Sequence, residues 1–187
     1  DSQELWDELY AGFGLKAFPA GNTGVQMGGW FNREINALDD FSGLVMRMPG
    51  LGGEVLRRLD ATVQNLPGGE IFQALKTGAI DATEWVGPYN DLAFGFHQAA
   101  KYYYWPGWHE PGTTMEAMIN RTAWEALPTD LQHIVRHACQ STNENMLAEF
   151  TTRNGVALKT LVEKHGVQLK RFSDDVLTEI GRVARDV

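Results

Sequence analysis

Arg47 lies inside a short apolar run, Leu44 to Met48, and directly behind it come Pro49 and a glycine cluster, "PGLGGEV". Buried arginine is rare unless it is paired, and an unpaired charge in a core is expensive. The position therefore asks for an anion. A guanidinium forks onto a carboxylate with two parallel hydrogen bonds, a match that lysine does not make. The glycines fail both nucleotide signatures: position 55 is Val where a dinucleotide fingerprint needs its third Gly, and no Gly-Lys-Ser/Thr follows for a P-loop. They still expose backbone N–H groups at a helix start, which suits an anion, or they simply make a tight turn.

Two further stretches carry acids. In "DATEWVGPYND" (81–91), Glu84 stands in an apolar run near the C-terminal end of an expected strand, where open α/β sheets place their ligands. Its plain alternative is an edge-strand glutamate facing water, and Trp85 beside it reads equally as core. In "PGWHEPG" (106–112), His109 and Glu110 are pinched between two Pro/Gly pairs, a stiff loop of the kind that carries binding residues or merely decorates a surface. Glu84 and Glu110 together suit a hard cation through oxygen ligands, or an acid/base pair for hydrolysis. Spacing alone leaves both open. His109 lacks the His or Cys companions of a zinc site. His133 and His137 are i, i+4 neighbours close to Cys139, but position 134 is Ile rather than the Glu of HExxH, so they read as solvated helix residues. The aromatic set Trp30, Trp85, Tyr102 to Trp105 and Trp108 reads mostly as core, with a ligand cleft as its other use.

These residues need a scaffold to position them. A helix end over 3–13, an extended Gly- and Asn-rich segment over 15–31 and a helical turn at 38–41 open the chain. Short apolar runs then alternate with helices: strand 44–48 and helix 51–59, strand 62–66 and helix 69–77, strand 80–86 and helix 88–100. Such alternation predicts an α/β sheet built of parallel βαβ units. Aromatic strands follow, broken by Pro106 and Pro111. Pro128, Thr129 and Gln132 give a capping-box start to a long helix reaching about Lys164. Its apolar stripe is Leu131, Ile134, Val135, Ala138, Leu158, Leu161 and Val162, with Gly155 as a kink and Gly166 as its stop. A strand "VQLKRF" and a helix capped by Ser173 close the sequence.

Composition narrows the classes. The chain has 187 residues, 43% hydrophobic and 21% charged, which suits one large or two small globular domains. A net charge of -8 argues against nucleic acid as a partner. The single cysteine, Cys139, excludes an intrachain disulfide. No apolar run reaches the 18 residues of a membrane-spanning helix. Asp1 opens inside an amphipathic pattern (Leu5, Trp6, Leu9, Tyr10), so a chain that starts mid-protein is expected.

Several strings then line up at once. "LWDELYAGFGLKAFPAGNTGVQMGGWFNREI", "MRMPGLGGEVLRRL", "NLPGGEIFQALKTGAIDATEWVGPYND" and "YYYWPGWHEPG" closely resemble the solute-binding subunits of TRAP (tripartite ATP-independent periplasmic) transporters. The likeness is strongest to the branch that binds 2-oxo acids and related monocarboxylates, and it covers essentially all 187 residues. It implies a two-domain α/β periplasmic-binding-protein-like fold with a long helix, here lacking much of the first domain and extending beyond both ends of this chain. The matching division is 1–20 as a remnant of the first domain, 21–86 as the main part of the second, 87–127 as a return segment, and 128–187 as the long helix with the rest of the second domain. The resemblance implies that Arg47 salt-bridges the ligand carboxylate. It also implies a metal cation, Na⁺ or Ca²⁺, held by Gln26, Glu84, the Trp85 carbonyl and Glu110, with Gln26 and Trp85 close to the substrate as well. The implied role is non-enzymatic: periplasmic capture of a small 2-oxo or 2-hydroxy monocarboxylate, such as pyruvate, for a TRAP membrane permease, with a homodimer in the full-length protein. The rival class is a metal-dependent hydrolase or lyase using Glu84 and Glu110, and a third is a sensor subunit.

Overall fold

The computed structural model describes residues 2–187. In chain order its elements are α1 (Ser2–Ala11), β1 (Leu15–Asn22), β2 (Gly29–Phe31), β3 (Val45–Arg47), α2 (Gly50–Arg58), β4 (Thr62–Gln64), α3 (Gly68–Thr77) and β5 (Ala82–Thr83). Then come α4 (Pro88–Phe94), β6 (Tyr102–Trp105), β7 (Thr114–Asn120), α5 (Arg121–Glu125), α6 (Thr129–His165), β8 (Gln168–Arg171) and α7 (Asp174–Ala184). Single 3₁₀ turns lie at Leu38–Phe41 and Phe96–Gln98. The chain divides into two compact units, residues 1–24 with 112–151, and residues 25–111 with 152–187.

In the first unit β1 and β7 form an antiparallel ribbon whose register shifts between Pro19 and Gly21. Proline has no N–H for a ladder. A small core gathers Phe18, Trp124 and Cys139, with Phe18 and Trp124 rings tilted at 5.0 Å. Asn120 caps α5 by accepting from the Ala123 N–H at 3.1 Å.

The second unit is built on a sheet of order β4-β3-β5-β2-β6-β8. β3 is parallel to β4 and β5, β6 is parallel to β8, and β2 is antiparallel to both β5 and β6. Five strands therefore run one way and β2 alone runs the other. The alternation of short runs and helices did predict parallel βαβ units. It could not show that the 15–31 segment sends β2 into the middle of the sheet against the rest. One apolar cluster on this sheet includes Leu44, Met46, Leu56, Phe172 and Ile180. Another holds Trp30, Ile71, Leu75, Tyr103 and Leu161, with Trp30 stacked on Tyr103 at 4.0 Å.

Five local expectations are corrected. The run 80–86 contributes only Ala82–Thr83 as strand, because the chain leaves the ladder at Glu84. The helix expected over 88–100 stops at Phe94, where Gly95 turns left-handed at φ 75° and a 3₁₀ turn follows. Gln132 makes no reciprocal capping box: its amide donates to the Trp124 and Leu127 carbonyls at 2.9 and 3.3 Å, tying α5 to the start of α6. α6 runs unbroken through Gly155. Of the stripe expected on it, Leu161 is buried while Leu131, Ile134 and Val162 are exposed. Ser173 does cap α7, accepting from the Val176 N–H.

Candidate functional site

The sheet directions decide which residues meet. Because β3, β5 and β6 run the same way, their C-terminal ends lie along one edge of the sheet, the edge at which open α/β sheets bind ligands. Arg47 ends β3 and pairs in register with Thr83, the last residue of β5. Glu84 and Trp85 come next. The loop carrying His109 and Glu110 leaves the same end of β6, and the segment Gln26–Gly28 arrives there to begin the oppositely directed β2.

Backbone hydrogen bonds lock these segments together. The Gln26 N–H donates to the Pro111 carbonyl at 3.1 Å, and the Met27 N–H to the Val86 carbonyl at 3.1 Å. Gln26 is thus clipped between the Glu110–Pro111 and Trp85–Val86 backbones, and its side chain is buried. The fit against the 106–111 loop depends on Gly107, where an added Cβ would stand 2.8 Å from the Gln26 carbonyl oxygen. That is a close approach only glycine allows.

Arg47 has found an anion, and it is Glu84. The two residues are 8% and 3% exposed, and Arg47 Nη1 is in a direct salt bridge with Glu84 Oε1. The rest of the guanidinium is held by the Leu66 carbonyl through Nε and the Glu84 carbonyl through Nη1, both at 3.3 Å. It stands 5.3 Å from the Trp85 ring centroid, within cation–π range. Glu84 Oε2, on its other side, lies 3.2 Å from His109 Nε2. A single carboxylate is therefore gripped from two directions. His109 reaches it because Gly52 leaves room, since a Cβ there would come within 2.9 Å of the His109 Cβ. His109 Nδ1 and Trp85 Nε1 are buried with no hydrogen-bond partner among the described residues.

A second buried acid, Asp91, was not singled out in the sequence. It sits in α4 and is 1% exposed. Its Oδ2 accepts from Trp30 Nε1 at 2.9 Å and Tyr103 Oη at 2.7 Å, and its Oδ1 accepts from the Val86 N–H at 3.2 Å. Burial pushes its carboxyl up to about 6, against the pull of those three donors. Its sequence signal is faint: a carboxylate one turn into a Gly-Pro-initiated helix, between Asn90 and Leu92. Through Val86, Asp91 braces the backbone that presents Trp85.

The segments that carry Gln26, Arg47, Glu84, Trp85 and Glu110 thus meet at one edge of the second unit's sheet. His133 and His137, by contrast, are exposed on α6 in the first unit, as solvated helix residues are. A concavity of about 540 Å³ also belongs to the first unit, lined by Phe18, Pro19, Arg136, Gln140 and Asn143 among others, and by none of the Arg47 cluster. It offers no convergent acids, so the chemistry stays with Arg47. Among the described residues no group of three or more His, Cys, Asp or Glu is placed to hold a metal. The residues expected from sequence to hold a cation, Gln26, Glu84, the Trp85 carbonyl and Glu110, would offer it oxygen alone. Such a set fits a hard cation, Na⁺ or Ca²⁺, and does not fit a thiolate-seeking metal.

Residues 2–187 match the family described as bacterial extracellular solute-binding protein, family 7. A monocarboxylate 2-oxoacid-binding periplasmic protein of Nostoc sp. is 47% identical over 180 residues, which are 96% of this chain and 49% of that protein. A TRAP periplasmic solute-binding protein of Colwellia psychrerythraea, solved with bound calcium and pyruvate, superposes with a TM-score of 0.93 at 44% identity, over 99% of this chain and 56% of that one. Another from Pseudoalteromonas atlantica, solved with sodium and pyruvate, gives 0.91 at 45% identity, over 98% and 56%. The chain therefore spans about half the length of these relatives.

Proposed function

The chain belongs to the bacterial extracellular solute-binding proteins of family 7, and from that premise we propose that it contributes the carboxylate- and cation-binding half of a periplasmic TRAP solute-binding protein. The captured solute is a small 2-oxo or 2-hydroxy monocarboxylate of the pyruvate class, taken up together with Na⁺ or Ca²⁺ and delivered to membrane permease subunits. One observation carries the reading: a buried arginine ends β3 and a buried glutamate directly follows the end of the adjacent parallel β5, at the edge where such sheets bind ligands. Relatives more than 40% identical were solved with pyruvate and a cation.

In this reading Arg47 forks onto the ligand carboxylate, and the Trp85 ring beneath it shields that ion pair from water. Gln26, Glu84, the Trp85 carbonyl and Glu110 hold the cation, which when bound neutralises the glutamates and draws the ligand's oxygens. Two glutamates would otherwise repel an organic anion. Gln26 and Trp85 border the solute as well. Asp91 keeps the Trp85–Val86 backbone in place. Every one of these tasks is binding or orientation, and none transfers a proton or an acyl group. The hydrolase or lyase alternative has no support from the relatives, which bind their ligands as solute-binding proteins.

Titration calorimetry of the intact protein with pyruvate, with and without Ca²⁺ or Na⁺, tests the reading. Heat of binding is expected with a cation present and none in Arg47→Ala; unchanged affinity in that variant would remove Arg47 from the site. Proton NMR after overnight incubation should return pyruvate unaltered, and any turnover would revive the enzymatic alternative.

A further inference from the structure

Arg47 and Glu84 are the two charges that the proposed function assigns to different guests, the acid's carboxylate and the cation. In the structure they neutralise each other. Both side chains are almost wholly buried, and a buried charge that loses its counter-charge is strongly destabilised. A carboxylate that forks onto Arg47 through Nη1 competes with Glu84 Oε1 for that nitrogen, and a cation that takes Oε1 displaces Nη1 from it. A carboxylate that takes Arg47 leaves Glu84 with His109 alone, and a cation that takes Glu84 leaves Arg47 with backbone carbonyls and the Trp85 ring.

Resting on the proposed function, we infer that the Arg47–Glu84 pair is an internal latch that makes cation and carboxylate binding mutually dependent. Each guest alone bears the whole cost of opening the pair. The second guest finds its residue already released and binds more tightly. Coupling between two ligands is reciprocal, so the factor by which pyruvate tightens the cation equals the factor by which the cation tightens pyruvate.

The latch has the parts to open without collapse. When Arg47 turns to a ligand carboxylate, its Nε–Leu66 contact and its stacking on Trp85 still hold the guanidinium in the same place. When Glu84 turns to a cation, His109 Nε2 still holds Oε2. Each residue keeps one anchor while the end that forms the pair swings to its new partner.

Two single substitutions should each produce a gain, which a site of independent contacts would not. In the intact protein, Ca²⁺ affinity is measured by calorimetry with and without pyruvate, and pyruvate affinity with and without Ca²⁺. In the unsubstituted protein each probe should tighten the other by a factor in the usual range of about 5–150. Arg47→Met frees Glu84, so Ca²⁺ should bind more tightly than to the parent without pyruvate, and pyruvate should no longer enhance it. Glu84→Gln frees Arg47, so pyruvate should bind more tightly than to the parent without Ca²⁺. Glu110→Gln removes the same charge from the neighbouring loop without touching the pair. An equal gain there would assign the effect to the general field and overturn the latch.

Circular dichroism checks folding, and should Arg47→Met not fold, the near-isosteric Glu84→Gln decides alone. Binding of both probes with no coupling, or losses in both variants, overturns the latch and leaves the proposed function standing. Failure of the parent to bind either probe overturns the function itself, and the latch with it.

Discussion

Glu84 and Asp91 are both buried carboxylates, separated by one short stretch of chain, and they are held in opposite ways. Glu84 is 3% exposed and neutralised by a guanidinium. Asp91 is 1% exposed and held by three neutral donors, two aromatic side chains and a backbone N–H. A formal charge partner can be exchanged for another charge, so Glu84 suits a site that takes in ions. Neutral donors fixed by packing offer nothing to exchange, so Asp91 suits a brace. Burial alone does not separate a working acid from a structural one; the nature of the partner does.

The largest effect should come from breaking the charged pair. Arg47→Met leaves Glu84 buried without its counter-charge and should cost about 3–5 kcal/mol of stability. Adding Glu84→Gln removes the stranded charge and should restore most of that loss. Urea unfolding of both single variants and the double variant measures the coupling. Strict additivity would mean that the two residues are neighbours without being each other's main support.

The second prediction concerns pH and belongs to Asp91. Its folded pKa of about 6 lies above its ordinary 3.8. Below 3.8 both folded and unfolded chains carry the proton. As pH rises from there to about 6, the unfolded chain gives it up while the folded chain keeps it. The stability from this group is therefore fully present below 3.8 and lost as pH approaches 6. With 1.36 kcal/mol per unit, the loss is about 3 kcal/mol. Asp91→Asn cannot titrate, so the difference between its stability and that of the parent should change by about 2 of those 3 kcal/mol between pH 4 and 6. A constant difference across that window would show that Asp91 titrates as an exposed aspartate does.

The two acids also differ in how well the sequence announced them. An arginine in an apolar run states its need for an anion locally, and the glycines behind it announce a turn and a helix start. Its partner in the structure was not legible, because Arg47 meets Glu84 only through the pairing of β3 with β5, set by strand order rather than by spacing. The antiparallel entry of β2, which brings Gln26 to the same edge, was hidden for the same reason: "TGVQMGGWF" is extended in either direction. Asp91 gave a fainter signal still. Its donors, Trp30 and Tyr103, come from β2 and β6, and each reads singly as ordinary core. Helix ends set by local chemistry, such as the Ser173 cap, are readable, whereas Gln132 is not, because its acceptors lie in α5 and the turn that follows it.

Deleting one equivalent donor from each acid sharpens the contrast. Tyr103→Phe keeps the ring stacked on Trp30 and removes only the 2.7 Å bond to Asp91. The cost should be about 2 kcal/mol, the usual range for a bond to a buried charged or nearly charged group. Ligand affinity should hardly change, because Asp91 keeps Trp30 and the Val86 N–H. His109→Ala removes the longer, 3.2 Å contact to Glu84, and with Arg47 still in place its cost in stability should be smaller, about 1 kcal/mol. Its effect on binding should be the larger of the two, since the hold that keeps Glu84 aimed once Arg47 has turned away is then gone. Chemical unfolding and Ca²⁺ titration of the two variants give four numbers with an expected crossing: Tyr103→Phe hurts the fold more, His109→Ala hurts the cation more. If both variants move stability and affinity in the same proportion, the division between an exchangeable carboxylate and a fixed one does not hold.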